Sequence, residues 1–227
     1  MNNQTKTIEY STTKADQFFL KFPKDKVVSY KQYWESIKPK NNEEIFRRYL
    51  FSFMSVHTTW KGNVNGYKAI KDFNEWIDNK ELLWQKLKNS GVGLHNNRTE
   101  YVWDFKNKFW TNPKDYIITT RKYHVKKRDS IINKIKGLGA AKISFSCEMQ
   151  NPNECRVFCG DTHMLELYGM KTLNYQTKNG FDLYKKMERH WSISCGKLKV
   201  PPYIARCLYW DNIQQKEDSR YWSWVFE

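Results

Sequence analysis

The chain has 227 residues, 40% of them hydrophobic and 16% aromatic, at a mean hydropathy of -0.83. That much apolar surface excludes an intrinsically disordered chain, and the lack of any run of about 18 apolar residues excludes a membrane-spanning helix. Thirty-nine Lys and Arg against 24 Asp and Glu give a formal charge of +15, so the surface attracts a polyanion, and nucleic acid is the first partner to consider.

The opening stretch MNNQTKTIEYSTTKAD lacks the apolar core of a signal peptide. A soluble protein of the cytoplasm or nucleoid is therefore expected. Cys147, Cys155, Cys159, Cys195 and Cys207 form no CxxC unit, which argues against zinc and against a disulfide framework and predicts reduced thiols, mostly in the core.

Residues 1 to about 25 are polar and aperiodic and predict a loose arm, with a short helix to follow in KFPKDKVVSYKQYWESIKPKN. From Asn42, apolar residues at Ile45, Tyr49, Phe53 and Val56 mark a buried helix. Further helices are expected from Val64 to Trp76 and in KELLWQKLKNS, the latter stopped at Ser-Gly-Val-Gly, and the period restarts in RTEYVWDFKNKFW. A basic stretch, NPKDYIITTRKYHVKKRD, leads into SIINKIKGLGAAKISFSCEM, which reads as helix, Gly-x-Gly turn, helix. CRVFCGDTHMLELYG opens as an apolar run, and residues 181–191 and 203–214 predict two amphipathic helices. With no repeat, strand series or low-complexity linker, the expected class is all-α. Residues 1–41 form an arm and helix, 42–175 the core, and 176–227 helices packing on it.

Two elements carry chemistry. In Lys136-Gly137-Leu138-Gly139, the glycines let the backbone turn sharply and approach a phosphate, while the helix starting at Ala140 points its first N–H groups at the anion. Twenty-two residues beyond Gly139, Asp161 ends an apolar run in Val157-Phe158-Cys159-Gly160-Asp161. A carboxylate held partly dry can stabilise positive charge on a sugar or activate a nucleophile; it can equally cap the helix that follows.

Taken together, IKGLGAAK and FCGDTHML resemble the helix-hairpin-helix, Gly/Pro-rich loop and Asp superfamily of DNA glycosylases, whose members carry Leu-Pro-Gly-Val-Gly followed by Val-Asp-Thr-His. Upstream, FMSVHTTWKGNVNGYKAI and SGVGLHNNRTEYVWDF resemble the endonuclease III segments containing Leu-Ser-Ala-Gln and Val-Gly-Leu-Tyr-Asn. The resemblance runs from about Arg48 to Gly169. It implies a two-lobed helical fold with a cleft, double-stranded DNA as partner to a monomer, and a nucleotide flipped out of the stack, because the glycosidic bond is inaccessible inside it. Asp161 is then the catalytic carboxylate. Gly137, Leu138, Gly139, Ala140, Lys136 and Arg128 meet the backbone; His57 fills the space of the extruded base, Leu94 stands in the wedge position, and Asn96 is beside it on the DNA.

The sequence departs from the family pattern in three places. The Schiff-base Lys of bifunctional members falls two residues after the last hairpin glycine, where this chain has Ala141. Lys142 comes one later, and one residue turns a helix by about 100°, enough to face it away from the pocket. Counting back from Asp161 instead gives a separation of nineteen residues, which resembles that of bifunctional 8-oxoguanine glycosylases. The first count favours a monofunctional enzyme using water, with Lys142 contacting phosphate, and this is the expected reading; the second allows Lys142 as nucleophile. Lys136 replaces the usual Pro. The four-Cys tail of endonuclease III is missing, so no iron-sulfur cluster, metal or other cofactor is expected.

The aromatic residues Trp60, Trp103, Trp110, Tyr168, Trp191, Trp210, Trp222 and Trp224 could stack on a flipped base or pack the core. Arg121, Lys122, Lys126, Lys127 and Arg128 form a basic patch ahead of the hairpin, suited to backbone contact. Besides base excision, two alternatives remain open: group transfer onto a hypermodified base within the same fold, and a DNA-binding module without catalysis. The Lys- and Asn-rich composition fits an AT-rich bacterial or viral genome.

Overall fold

The computed structural model describes residues 10–118 and 124–215, in which α-helices alternate with short loops and 3-10 turns and no strand occurs. The expected arm instead contains α1 (Thr13–Leu20), followed by α2 (Val27–Ser36) where a short helix was anticipated. The arm is ordered by tertiary packing, which periodicity does not report. Phe18 and Phe19 meet Trp191 at ring-centroid distances of 6.0 and 4.8 Å, and Phe18 meets Tyr209 edge-on at 5.2 Å.

Several later helices start at side-chain caps that satisfy first-turn N–H groups. Asn41 accepts from Glu44 N–H to open α3 (Asn42–Met54), Thr59 from Gly62 to open α4 (Trp60–Ile70), and Asn79 from Leu82 to open α5 (Lys80–Asn89). The Thr59 cap starts α4 four residues earlier than periodicity predicts, and the helix ends at Ile70 rather than Trp76, with a 3-10 turn at Phe73–Glu75. α5 stops as expected, and Gly91 and Gly93 turn the chain with φ of 69° and 75°, a region open to glycine without steric cost.

Next come α6 (His95–Thr111), α7 (His124–Ile131), α8 (Ala140–Gln150), α9 (Thr162–Leu167), α10 (Lys178–Leu198) and α11 (Pro202–Gln214). The first hairpin helix, α7, ends at Ile131, earlier than its apolar run suggested, and turns carry Ile135 and Leu138 back into the core. The result is all-α and two-lobed. One lobe packs α3 to α6 around a cluster in which Phe46, Phe105 and Phe109 stack or tilt at 5.2–5.8 Å. The other gathers α1, α2, α10 and α11, where Trp34 meets Tyr203 at 4.8 Å. Helix α8 packs against α3 and α7 between them. All five cysteines lie buried in this interior.

Arg128, expected at the DNA backbone, is instead fully buried. Its Nη2 donates to both Glu188 oxygens at 2.8 and 2.7 Å, its Nε to Asp129 at 2.7 Å, and its Nη1 to Ser144 Oγ at 2.5 Å and to Tyr184. Burial alone would lower its pKa, but Tyr184, Glu188 and Asp129 outweigh that and hold it above the ordinary arginine value. The basic run from Lys126 to Arg128 is thus split by helix geometry: Lys126 is exposed, Lys127 Nζ donates to Lys114 O at 2.8 Å, and Arg128 points inward. Arg121 and Lys122 lie outside the described residues.

Removing one partner of such a pair strands a buried charge. Arg128→Met is therefore expected to cost about 3–5 kcal/mol of unfolding free energy, measured by urea denaturation. A loss below about 1 kcal/mol, the range of an exposed pair, contradicts this account of the network.

Candidate active site

At the hairpin, only the first glycine needs glycine's conformational freedom. Gly137 has φ of 82°, and a Cβ there would lie 2.2 Å from the Tyr101 ring. Gly139 is extended, at φ -80° and ψ 176°, and serves as N-cap of α8 without any side-chain cap; a Cβ there would meet nothing within 4 Å. The first α8 amides thus face a space open to an anion. Leu138 and Ala140 are buried, so their side chains belong to the core and only their backbone can face a phosphate, while Lys136 is exposed beside the elbow.

The two upstream segments are held together by a residue that sequence reasoning missed. Arg98, 4% exposed, donates from Nε to Gly93 O at 2.9 Å, from Nη2 to Val56 O at 2.5 Å, and from Nη1 to Phe53 O. Burial lowers its pKa. It staples the turn bearing His57 to the turn bearing Leu94, and both residues are exposed and left-handed, at φ 44° and 48°. Non-glycine residues held in this region store strain and cluster at ligand contacts. Asn96 is exposed on α6, where its Oδ1 accepts from Trp84 Nε1 at 2.7 Å.

A cavity of about 860 Å³ opens beside the hairpin. Its walls come from the end of α3 and the His57 turn, from Gly137, Gly139, Ala141, Lys142 and Phe145, from residues 159–163, and from Arg206, Trp210 and Gln214 on α11. Lys142 therefore does not face away from the pocket. Ala141, Lys142 and Phe145 share one stripe of α8, spaced i, i+1 and i+4, and the cavity meets the helix at its N-terminal end, where adjacent positions both reach it. Lys142 Nζ lies 5.9 Å from the Phe145 ring centre and makes no ion pair among the described residues.

Asp161 lines the same cavity, and it is also the N-cap of α9: Oδ1 accepts from Met164 N–H at 3.1 Å. Capping and exposure to the cavity are combined in one carboxylate, because the second oxygen stays clear of the helix. Oδ2 faces Arg206 Nη1 at 3.5 Å. Just before it, Gly160 is packed so that a Cβ would sit 3.0 Å from Tyr175 Oη and 3.2 Å from the Tyr184 ring. Of the aromatic candidates, Trp60 and Trp210 line the cavity; Tyr168 and Trp191 are core, and Trp103 and Trp110 pack against it. Trp222 and Trp224 lie outside the described residues. Trp210 meets His163 edge-on at 4.7 Å, and both the buried Trp210 Nε1 and Asn63 Oδ1, also in the wall, lack hydrogen-bond partners among the described residues. Buried polar atoms are normally satisfied, so these two are suited to meet a ligand. Nothing in the sequence singled out Asn63 or Arg206.

Hairpin, cavity and carboxylate in this helical frame define the helix-hairpin-helix class of DNA glycosylases. Residues 24–194 match the family model of 8-oxoguanine DNA glycosylase, and the chain belongs to that family. It is similar to the 8-oxoguanine DNA glycosylase/AP lyase of Methanocaldococcus jannaschii, with 30% identity over 138 residues, which are 60% of this chain and 64% of that relative. The chain thus aligns with just under two thirds of that relative's length. Among solved structures it resembles the Methanocaldococcus jannaschii glycosylase/lyase in complex with a 15mer DNA containing 8-oxoguanine, at a TM-score of 0.65 and 21% identity, covering 90% of this chain and 97% of that one. The 8-oxoguanine DNA glycosylase of Thermotoga maritima is similar at a TM-score of 0.69 and 16% identity, covering 91% and 99%. No helix among the described residues is long and apolar enough to cross a membrane.

If the elbow grips phosphate, Gly137→Ala, which adds about 1–2 kcal/mol of left-handed strain and a clash with Tyr101, weakens duplex binding by about tenfold or more. Fluorescence anisotropy with a labelled duplex measures this; wild-type affinity in the folded variant contradicts the grip.

Proposed function

We propose that this chain is a DNA N-glycosylase acting as a monomer on double-stranded DNA. It flips an oxidised purine, 8-oxoguanine first among them, into the cavity and breaks its N-glycosidic bond. The observation that carries this reading is the shared cavity lined by Lys142 and Asp161 beside the hairpin. The names of the relatives support the choice of base.

In this reading the backbone amides of the Gly137–Ala140 elbow hold a phosphate, Leu94 enters the stack, and His57 fills the vacated space. Asn63 and Trp210 meet the polar edge of the extruded base. As the C1′–N9 bond breaks and the base departs with the electron pair, Asp161 stabilises the positive charge developing on the sugar. The Lys142 amine, in its neutral form, bonds to C1′. Asp161 takes up the proton that the amine gives away and passes it to O4′ as the C1′–O4′ bond opens; the nitrogen lone pair forms the protonated imine, from which a strand break can follow.

A second reading keeps water as the nucleophile. It was favoured by counting from the hairpin glycines, and it loses ground because the stripe Ala141, Lys142 and Phe145 meets the cavity. Borohydride reduction during reaction with an 8-oxoguanine:cytosine duplex separates the two. A covalent protein–DNA adduct, lost in Lys142→Ala, is expected; excision without any adduct supports water.

Asp161→Asn is expected to retain duplex affinity while losing at least about a hundredfold in single-turnover excision rate. A binding module without catalysis would be indifferent to this change. Mass spectrometry of the product tests group transfer, which would leave an altered base on the sugar.

A further inference from the structure

We propose that Arg206 is a positioning residue for Asp161, and that Glu148 offsets its charge so that the aspartate is fixed in place without being neutralised. The inference rests on Asp161 being the reacting carboxylate. It concerns a helix, α11, that lies beyond the segment matched by the family model.

Arg206 is 5% exposed and its guanidinium bridges two acids. Nε and Nη2 both donate to Glu148 Oε2, at 3.0 and 2.6 Å, while Nη1 stands 3.5 Å from Asp161 Oδ2. Glu148 is in turn tied to the backbone just ahead of Asp161, since its Oε1 accepts from Cys159 N–H at 3.3 Å. The guanidinium lies over the Phe145 and Tyr203 rings, 5.1 and 5.2 Å from their centres, which fixes its plane. With Oδ1 held by Met164 N–H, both Asp161 oxygens have defined neighbours.

The asymmetry of the distances gives the device its chemistry. Contacts of 2.6–3.0 Å to Glu148 are charge-assisted hydrogen bonds, whereas 3.5 Å to Asp161 is attraction between ions without a formed hydrogen bond. A lone arginine beside Asp161 would cancel the negative field needed at the sugar. Paired with buried Glu148, it orients the carboxylate and leaves a net negative charge facing the cavity. Lysine cannot replace it, because a point ammonium lacks the planar fork that spans two carboxylates.

The test compares single-turnover excision from an 8-oxoguanine:cytosine duplex with affinity for a duplex bearing a tetrahydrofuran abasic analogue. Arg206→Lys keeps a cation for Glu148, and Glu148→Gln keeps an acceptor for Cys159 N–H while releasing Arg206 to pair fully with Asp161. Each variant is expected to excise about tenfold or more slowly while holding the analogue within about threefold of wild type and melting as one cooperative unit. Arg206→Met is expected to be slower than Arg206→Lys, so that the conservative change rescues part of the rate. Wild-type rates in the folded Arg206→Lys or Glu148→Gln protein overturn the inference, as does a rate loss matched by an equal loss of affinity. An inactive wild-type chain overturns the proposed function and this inference together, whereas an active one with unaffected variants removes only the inference.

Discussion

Two buried arginine–glutamate pairs hold the segment that presents Asp161. Between α8 and α9 the chain is irregular, so its N–H groups have no helical partner, and each must be satisfied elsewhere or cost free energy. Phe158 N–H donates to Glu188 at 3.0 Å and Cys159 N–H to Glu148 at 3.3 Å. Two buried carboxylates standing alone would be far too costly; Arg128 compensates one and Arg206 the other. Tyr184 donates to Phe158 O and Tyr175 to Gly160 O, so the carbonyls of the segment leading to Asp161 are held as well. Burial raises the Glu148 carboxyl above its ordinary value, and Arg206 together with the Cys159 N–H pulls it back down.

This arrangement ties the chemistry to the whole fold. The pairs join α7 to α10 and α8 to α11, helices far apart in sequence, and each carboxylate reaches the same short segment. The cavity is therefore assembled from both lobes: α3, α4 and α8 bring the His57 turn and Lys142, while α9 and α11 bring Asp161 and Trp210. Rigid side chains around a preorganised carboxylate are what a charge-stabilising site requires, because nothing then has to reorganise as charge develops. In the proposed function the surplus of basic residues acts at longer range, guiding the duplex to the cleft.

What the sequence made legible is local. The Gly-x-Gly elbow, the aspartate twenty-two residues later and the helices α3, α5 and α6 follow from spacing and turn chemistry that neighbouring residues impose on one another. The roles of Arg128 and Arg206 were hidden because their partners lie sixty and fifty-eight residues away, and Arg128, in a basic run, looks like surface until packing is known. Lys142 was misjudged for a geometric reason: a turn of 100° per residue matters along a helix flank, but the cavity here wraps the helix end. The α1 helix escaped notice since it is ordered by Trp191 and Tyr209, not by its own pattern. Arg98 was invisible in the same way, as its three acceptors are backbone carbonyls, one near the end of α3 and two in loops.

The central claim is that one lysine and one aspartate, nineteen residues apart, act on the same flipped nucleotide. Peptide mass mapping of the borohydride-reduced complex with an 8-oxoguanine duplex tests it most directly. The account predicts a single sugar-derived mass increment on the peptide containing Lys142. An increment on any other lysine, or on the chain's amino terminus, would contradict it.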